Sequence, residues 1–384
     1  MIVRSLRPPS KSFFLLGPRA TGKSTWLRQK FESALFLNLL KSETYFLLLH
    51  SPEKLREIVG AEPKNRWIIL DEIQRLPALT QEVHYLIESE RRKFALSGSS
   101  ARKLKRGQAN LLAGRALMLS MFPMVYPEWH DHYSLDDALR FGSLPEIIVD
   151  PENRIATLEA YIGTYLREEV KEEALLRNLD SFSRFLKIAS MANAQITNLS
   201  NLARDSGVSR SSITNYFQIL EDTLIGFWLR AWTPKAKVKE VAHPKFYFFD
   251  TGVLRAIQGR LHDRPSADES GILLETYILH ELRSVMAYQG IGGELSYWRT
   301  TSGTEIDFIW QRGRERVAIE VKSSKNWKSE FNKGFQSLHE SKNLKASKYF
   351  GVYRGENRLK QSLAQILSVE DFLSRLHQGE ILGS

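Results

Sequence analysis

GPRATGKS, at residues 17–24, is a complete phosphate-binding loop of the G-x-x-x-x-G-K-[ST] type. An apolar run, Phe13–Leu16, precedes it and predicts a strand, whereas residues 25–31 predict the first turns of a helix. Glycines let the backbone wrap closely around phosphate oxygens, and the helix N-terminus adds the positive end of its dipole. This strand–loop–helix order therefore predicts a nucleotide-binding domain built on a parallel sheet.

This part of the chain contains residues predicted to bind the phosphates, to hold Mg²⁺ and to position the attacking water. Lys23 is expected to reach the β- and γ-phosphates, and the Ser24 hydroxyl is expected to ligate Mg²⁺. The apolar run 66–70 suits a central strand buried on both faces, and it ends in Asp71 and Glu72. We expect Asp71 to hold the Mg²⁺ shell and Glu72 to orient or deprotonate the attacking water. The pair therefore favours hydrolysis of ATP over passive storage.

A further strand, at residues 93–96, ends in a Ser-Gly-Ser-Ser run. Ser99 in that run is placed to touch the γ-phosphate or the water, and the alternative is a plain Gly/Ser turn. The residues expected to contact ATP are Gly17, Pro18, Arg19, Ala20, Thr21, Gly22, Lys23, Ser24, Thr25, Asp71 and Ser99.

Composition limits the classes of protein that the chain can belong to. It has 384 residues, enough for two or three domains, and no cysteine, which excludes disulfides and thiolate chemistry and suits a reducing cytoplasm. The first residues lack the apolar core of a signal peptide, and no apolar stretch approaches the length of a membrane span. The net charge of +10 permits a polyanionic partner such as DNA. We therefore expect a cytoplasmic protein with no membrane association.

Four segments are predicted. Residues 1–130 form the P-loop ATPase domain, 131–195 a helical connector or lid, 196–262 a winged helix-turn-helix, and 263–384 a further α/β domain. In the third segment Gly207 supplies the turn between two helices, and Ser209 can cap the second. Base or phosphate contacts would come from Arg210 and its neighbours, and the basic run 235–239 would be a wing. The alternative role is a plain packing or oligomerisation element.

Four polar residues of the last segment form a predicted metal and phosphate site. Strand-like alternation places Glu320 and Lys322 on one face of a strand, and a turn at residues 311–314 folds it back toward Asp307. Glu275 lies on the apolar face of a preceding helix, where a carboxylate needs a partner or a metal. Carboxylates can hold Mg²⁺, and a lysine can orient water and stabilise developing charge. The alternative is a cross-strand ladder of charges on an edge strand.

These motifs together resemble the bacterial and archaeal AAA-type P-loop ATPases that carry a winged helix and a restriction-endonuclease-like, PD-(D/E)xK-type domain at the C-terminal end. The resemblance covers nearly the whole chain. It rests on residues 17–24, 70–72, 97–100, 112–115, 144–146, 244–252, 305–308 and 320–322. One departure is Gly142-Ser143, where the family usually shows two glycines.

The resemblance implies an α/β fold: an AAA-type parallel sheet, a helical connector with a winged helix-turn-helix, and a restriction-endonuclease-like domain. It also implies a homo-oligomer, for which a hexameric ring is one form. Arg115, or alternatively Arg102, would complete the ATP site of the next subunit. The expected activity is ATP hydrolysis with Mg²⁺-dependent cleavage of double-stranded or branched DNA, including four-way (Holliday) junctions. The alternative is an ATPase switch or scaffold that binds DNA or a protein without cleavage.

Overall fold

A computed structural model of the chain describes residues 2–100, 114–166, 179–232, 243–341 and 345–383. The chain divides into two compact units: Met1–Met124 with Leu220–Ile225, and Val125–Ile219 with Gly226–Ser384. The four finer segments stay a prediction. Arg102, residues 112–113 and the expected wing at 235–239 lie outside the described residues. Within the described ranges, no helix combines the length and the apolar character that crossing a membrane requires.

The N-terminal unit is built on a parallel sheet of five described strands, in the spatial order β2-β3-β4-β1-β5. Ile68, Ile69 and Leu70 are consecutive and all fully buried, so both faces of the central strand are covered. The parallel α/β sheet predicted from the sequence is therefore confirmed. The strands are β1 (Phe13–Leu16), β2 (Leu35–Asn38), β3 (Trp67–Asp71), β4 (Lys93–Gly98) and β5 (Leu117–Ser120), and the helices are α1 (Lys23–Lys30), α2 (Ser42–His50), α3 (Lys54–Gly60) and α4 (Leu79–Glu90).

The first part of the second unit is helical. Its helices are α5 (Tyr126–Trp129), α6 (Leu135–Phe141), α7 (Pro145–Val149), α8 (Arg154–Ala160), α9 (Leu179–Met191), α10 (Leu199–Ser206), α11 (Arg210–Asp222, whose last turn is grouped with the first unit) and α12 (Thr251–Gln258). Gly207, at φ 66°, ends α10, and the Ser209 hydroxyl accepts a hydrogen bond from Ser212 N at 3.1 Å. The predicted turn and cap are thus present. Two antiparallel strands follow as a ribbon, β6 (Gly226–Leu229) and β7 (Lys245–Phe248).

A buried carboxylate joins two distant turns of this helical part. Asp250 caps α12, because its Oδ1 accepts from Val253 N at 2.9 Å, while its Oδ2 accepts from Ser143 N at 2.8 Å. Gly142 has φ 75°, and a Cβ there would lie 2.1 Å from Asp250 Oδ1. Glycine at 142 is therefore required by both backbone conformation and space. The departure at Ser143 is harmless, because the contact uses only its backbone N–H.

The C-terminal part contains a mixed sheet of six strands in the described residues, in the order β12-β13-β11-β10-β9-β8. Its strands are β8 (Glu294–Arg299), β9 (Glu305–Arg312), β10 (Glu315–Lys322), β11 (Lys348–Tyr353), β12 (Leu359–Lys360) and β13 (Gln365–Ser368), and its helices are α13 (Ala267–Gln289), α14 (Lys333–Glu340) and α15 (Val369–His377). The predicted hairpin is confirmed, since β9 and β10 pair antiparallel with Ile319 opposite Phe308. This register brings Asp307 beside Glu320.

Candidate functional sites

The loop between β1 and α1 has the close backbone approach that a phosphate cradle needs. Ala20 and Gly22 adopt positive φ values of 59° and 85°. A Cβ at Gly17 would lie 2.3 Å from Met121 O, so the loop passes directly against the residue after β5. The buried Lys23 Nζ donates to the carbonyls of Gly17 at 2.8 Å and Pro18 at 2.9 Å. The lysine is therefore already held over the mouth of the loop.

Asp71 lies at the carboxyl end of β3 and meets the loop side of the sheet. Its Oδ1 accepts a hydrogen bond from Ser24 Oγ at 3.0 Å and another from Ser97 Oγ. The two residues expected to ligate Mg²⁺, Ser24 and Asp71, thus touch each other. Ser97, at the end of the neighbouring strand β4, fixes the carboxylate from the other side. The hydroxyl and the carboxylate fit a cation that also contacts nucleotide phosphates.

Glu72 has a strained backbone conformation, and its carboxylate contacts Gln74. Its φ of 63° and ψ of 46° lie in the left-handed region, which a non-glycine residue adopts at an energetic cost. The Nε2 of Gln74 donates to Glu72 Oε2 and to Ser99 Oγ at 3.0 Å. A Cβ at Gly98 would lie 2.8 Å from Gln74 Oε1, so a glycine there makes room for the amide. Glu72 and Ser99 are therefore linked through one side chain.

Arg115 lies far from this loop within its own unit. It precedes β5 by two residues, and Leu117 pairs with Phe13 at the amino end of β1. The loop begins at the opposite, carboxyl end of β1. The guanidinium of Arg115 pairs with Glu88, and both side chains are partly exposed, at 37% and 50%. Arg115 therefore lies at the end of the sheet opposite the phosphate-binding loop, with its side chain partly exposed.

Asp307, Glu320 and Lys322 are brought together by the β9–β10 hairpin. Lys322 Nζ donates to Glu320 Oε1 and lies 4.0 Å from Asp307 Oδ2. Asp307 Oδ2 also accepts from Val321 N at 2.7 Å. The buried Glu320 Oε2 has no hydrogen-bond partner among the residues that the structure describes. Asp307 Oδ2 and Glu320 Oε1 therefore have hydrogen-bond donors, whereas Glu320 Oε2 is left for another group.

Glu275 joins this cluster through residues that the sequence analysis did not assign to it. Lys245 Nζ lies 2.9 Å from Glu275 Oε1 and 2.5 Å from Glu305 Oε1. Tyr247 OH also donates to Glu275 Oε1. The signal was present in the chain, because Lys245 and Tyr247 alternate along a strand and so point to the same face. We refer to Lys245, Glu275, Glu305, Asp307, Glu320 and Lys322 together as the carboxylate cluster.

Burial, with the charge of Asp307, raises the pKa values of two acids in the carboxylate cluster, Glu275 and Glu320. Burial raises the pKa of Glu275 to about 7, although Lys245 lowers it. Burial and then the charge of Asp307 raise the pKa of Glu320 well above its ordinary range. Burial alone would lower the pKa of Lys322, but Asp307 and Glu320 raise it. Glu275 and Glu320 therefore retain protons more readily than free glutamates, and Lys322 stays charged.

Contacts in the carboxylate cluster leave a charge deficit among the described residues. Four carboxylates face three cations: Lys245, Lys322 and Arg299, whose Nη1 lies 3.3 Å from Glu305. The deficit and the unpartnered Glu320 oxygen suit a cation or a proton. However, no group of three or more His, Cys, Asp or Glu side chains in the described ranges converges as a metal site. Asp307 and Glu320 alone would supply side-chain ligands, with the remaining positions filled by backbone, water or phosphate oxygens.

Parts of the chain match known protein families. Residues 9–130 match a family described as AAA domain, residues 132–264 match a domain of unknown function (DUF8612), and residues 270–372 match a second such domain (DUF4143). The phosphate-binding loop lies in the first segment. The carboxylate cluster is shared by the other two, because Lys245 falls in the second segment and Glu275 in the third.

The chain is also similar to whole proteins from several organisms. An uncharacterized protein of Mycobacterium tuberculosis, Rv2008c, is 24% identical over 317 residues, which cover 80% of this chain and 69% of that protein. An uncharacterized protein of Haemophilus influenzae is 21% identical over 334 residues, with coverage of 79% and 80%. These relatives span both units.

Two solved structures show weaker similarity. The Aeropyrum pernix ORC2 protein is 12% identical, with a TM-score of 0.26. The match covers 66% of this chain and 89% of the ORC2 chain. Can2 from Sulfobacillus thermosulfidooxidans, in complex with cyclic tetra-adenylate, is 11% identical, with a TM-score of 0.24. The match covers 97% of this chain and 100% of the Can2 chain. TM-scores this low establish neither a shared fold nor a shared function.

Proposed function

We propose, from the premise that residues 9–130 form a P-loop ATPase domain of the AAA type, that the whole chain is an ATP-driven, DNA-binding oligomer with a Mg²⁺-dependent nuclease site. ATP would bind over residues 17–24, with Ser24 and Asp71 toward Mg²⁺. Glu72 would act on the attacking water, and Arg115 would serve the neighbouring subunit. The carboxylate cluster would act on DNA.

The observation that carries the nuclease proposal is the geometry of the β9–β10 hairpin. Asp307 and Glu320 lie side by side on adjacent strands, Lys322 contacts both, and Glu320 keeps a buried oxygen without a partner. Because an unpaired buried polar atom costs free energy, the free oxygen of Glu320 favours a bound cation over a plain ladder of charges. The surrounding element order, helix α13, three antiparallel strands, helix α14 and then parallel strand β11, supports a restriction-endonuclease-like core.

The residues divide the chemistry among themselves. Asp307 and Glu320 would hold Mg²⁺, which supplies Lewis-acid stabilisation of the phosphate when bound. Lys322 would donate to a nonbridging phosphate oxygen or hold the water, since its raised pKa keeps it charged at neutral pH. Glu275, Lys245 and Tyr247 support the site by fixing one another. Exposed residues at the start of α11, among them Arg210, are candidates for DNA backbone contacts.

The test is cleavage of several DNA forms by the full-length protein with Mg²⁺ or Mn²⁺. Wild type should cut at least one form, and Asp307→Ala and Glu320→Ala should not. Each carboxylate variant should bind DNA as well as wild type or more tightly, because a charge that repels phosphate has been removed. Lys322→Ala should also lose cleavage but bind more weakly. Absence of wild-type cleavage, with Asp307→Ala binding DNA unchanged, would show a structural ladder.

A second function is favoured by one specific observation. Lys245 already pairs with both Glu275 and Glu305, and no three acidic side chains of the described residues converge on a metal position. In this alternative the protein is an ATPase switch, and its C-terminal part binds DNA or a protein partner without cutting. The same cleavage assay separates the two functions, because ATP turnover would persist in the absence of any nuclease product.

A further inference from the structure

An aromatic side chain stands beside the carboxylate cluster on a short helical turn. Phe331 belongs to the 3-10 turn Ser329–Asn332, which follows β10, and its ring is half-buried. The ammonium groups of Lys322 and Lys328 lie 5.8 Å and 6.0 Å from the centre of this ring. Lys322 is itself 4.0 Å from Asp307 Oδ2. The ring thus stands beside the carboxylate cluster, next to its member Lys322.

Trp327 fixes this ring in place. Its own ring meets Phe331 edge to face, with centroids 5.4 Å apart, and also contacts Tyr353 at 6.1 Å. A Cβ at Gly351 would lie 2.4 Å from the Trp327 ring, so the indole lies directly on strand β11. Its Nε1 donates to Asn332 Oδ1 at 3.2 Å. Trp327 is therefore a packed support, and Phe331 is the outer ring of the pair.

The surroundings of Phe331 are basic. Lys325, Lys328 and Lys333 are exposed around the turn, and of these Lys328 pairs with an acid of the described chain, Glu330, at 3.7 Å. An aromatic face among lysines suits a ligand that is both flat and negatively charged. Nucleobases stack on such rings, whereas their phosphates are held by the cations. In a paired duplex both faces of each base are already stacked, so only an unpaired base offers a free face.

We propose that Phe331 is a stacking platform for an unpaired nucleobase whose neighbouring phosphate is contacted by Lys322 of the carboxylate cluster. The inference rests on the proposed nuclease function and names its substrate class: nucleic acid with a single-stranded segment at the site, such as a tail, flap or opened junction. Lys328 and Lys333 would contact the flanking phosphates. A blunt duplex would be bound through the basic residues without the stacking contribution.

The test is DNA binding by the full-length protein in metal-free buffer at fixed salt, measured by fluorescence anisotropy. The probes are a blunt duplex and the same duplex with a single-stranded tail. Phe331→Leu keeps apolar volume but loses the aromatic face, and should weaken binding of the tailed probe about tenfold. Binding of the blunt duplex should change by less than about twofold. Phe331→Tyr should restore tailed binding, and Phe46→Leu, at an exposed ring on α2, should change neither.

The outcomes separate the platform from the nuclease proposal. If Phe331→Leu binds the tailed probe as tightly as wild type, or weakens on both probes equally, the platform is rejected while DNA binding stands. If wild type binds neither probe, the DNA function itself fails, and the platform fails with it. A tailed probe carrying 2-aminopurine beside the junction gives a direct readout. Its fluorescence should be quenched by wild type and by Phe331→Tyr, but not by Phe331→Leu.

Discussion

The carboxylate of Asp250 accepts a hydrogen bond from the backbone N–H of Ser143, 107 residues earlier in the chain, at 2.8 Å. Thr251 and Gly252 complete the contact, since Thr251 Oγ1 donates to Ala138 O and a Cβ at Gly252 would lie 2.0 Å from Phe141 O. The end of α6 and the start of α12 are therefore locked together by hydrogen bonds between side chains at 250 and 251 and backbone groups at 143 and 138. Two motifs that are remote in sequence form one structural element.

Replacing Gly142 by alanine should destabilise the second unit strongly. The new Cβ would meet Asp250 Oδ1 at 2.1 Å, and φ 75° with ψ −163° is essentially a glycine-only conformation. We expect a loss of about 3 kcal/mol in the free energy of unfolding. Urea denaturation followed by fluorescence measures it. Gly271→Ala is the matched control: its nearest new contact is an ordinary 3.6 Å, so it should be neutral or slightly stabilising.

The cost of Asp250→Asn should depend on pH. Burial raises the pKa of Asp250 from 3.8 to about 6, although backbone N–H groups lower it. The folded state thus binds this proton more tightly than the unfolded state. The contribution of this bound proton to the free energy of unfolding is fully present below pH 3.8 and is lost as pH rises to about 6. Asparagine does not titrate, so wild type loses this stability as pH rises but the variant does not. The difference between their free energies of unfolding should therefore shrink by about 3 kcal/mol at most between pH 4 and pH 7. A deficit independent of pH would contradict the raised pKa.

Glu72→Gln should bind ATP but hydrolyse it at least about a hundredfold more slowly, because the base that orients water is lost while Ser24 and Asp71 remain. Turnover and equilibrium nucleotide binding are measured on the same preparation. Gln74→Ala should slow turnover less, since it removes only the link between Glu72 and Ser99. Glu57→Gln, at an exposed pair on α3, is the control. Normal turnover by Glu72→Gln would assign the water to another residue.

Arg115 should act in trans on the ATP site of a neighbouring subunit. Arg115→Ala should lower turnover by about 10³ with little change in ATP affinity, because an arginine at the developing phosphate charge is worth that much. Lys23→Ala should be inactive for a different reason, the loss of phosphate contact. An equal mixture of the two variants should regain about a quarter of wild-type turnover, since random assembly pairs intact loops with intact arginines at that frequency. No recovery on mixing would place Arg115 outside the site. Glu88→Ala should be nearly neutral.

The sequence was most informative where a local pattern dictates a local structure. Residues 13–24 predicted strand, loop and helix, and the run ending in Asp71 predicted a buried parallel strand, because backbone conformation and burial at these places follow from neighbouring residues. The β9–β10 hairpin followed from alternation for the same reason. Lys245 was missed as a partner of Glu275 because their contact depends on how a ribbon and a helix pack. Gln74 was missed because only the folded chain shows that the Gly98 position leaves room for it.

The contacts that strand β7 makes with α13 limit how the gene can recombine. It supplies Lys245 and Tyr247 to Glu275 on α13, so the acids of the cluster owe part of their neutralisation to a ribbon that precedes them by some thirty residues. Genes recombined between residues 258 and 267, where the helices separate, would join a β7 and an α13 that had not coevolved. If the parent that supplied β7 lacked the lysine and the tyrosine, the hybrid would bury an unpaired glutamate. We therefore expect the two segments to descend as one unit, with changes at 245 and 247 accompanied by changes at 275.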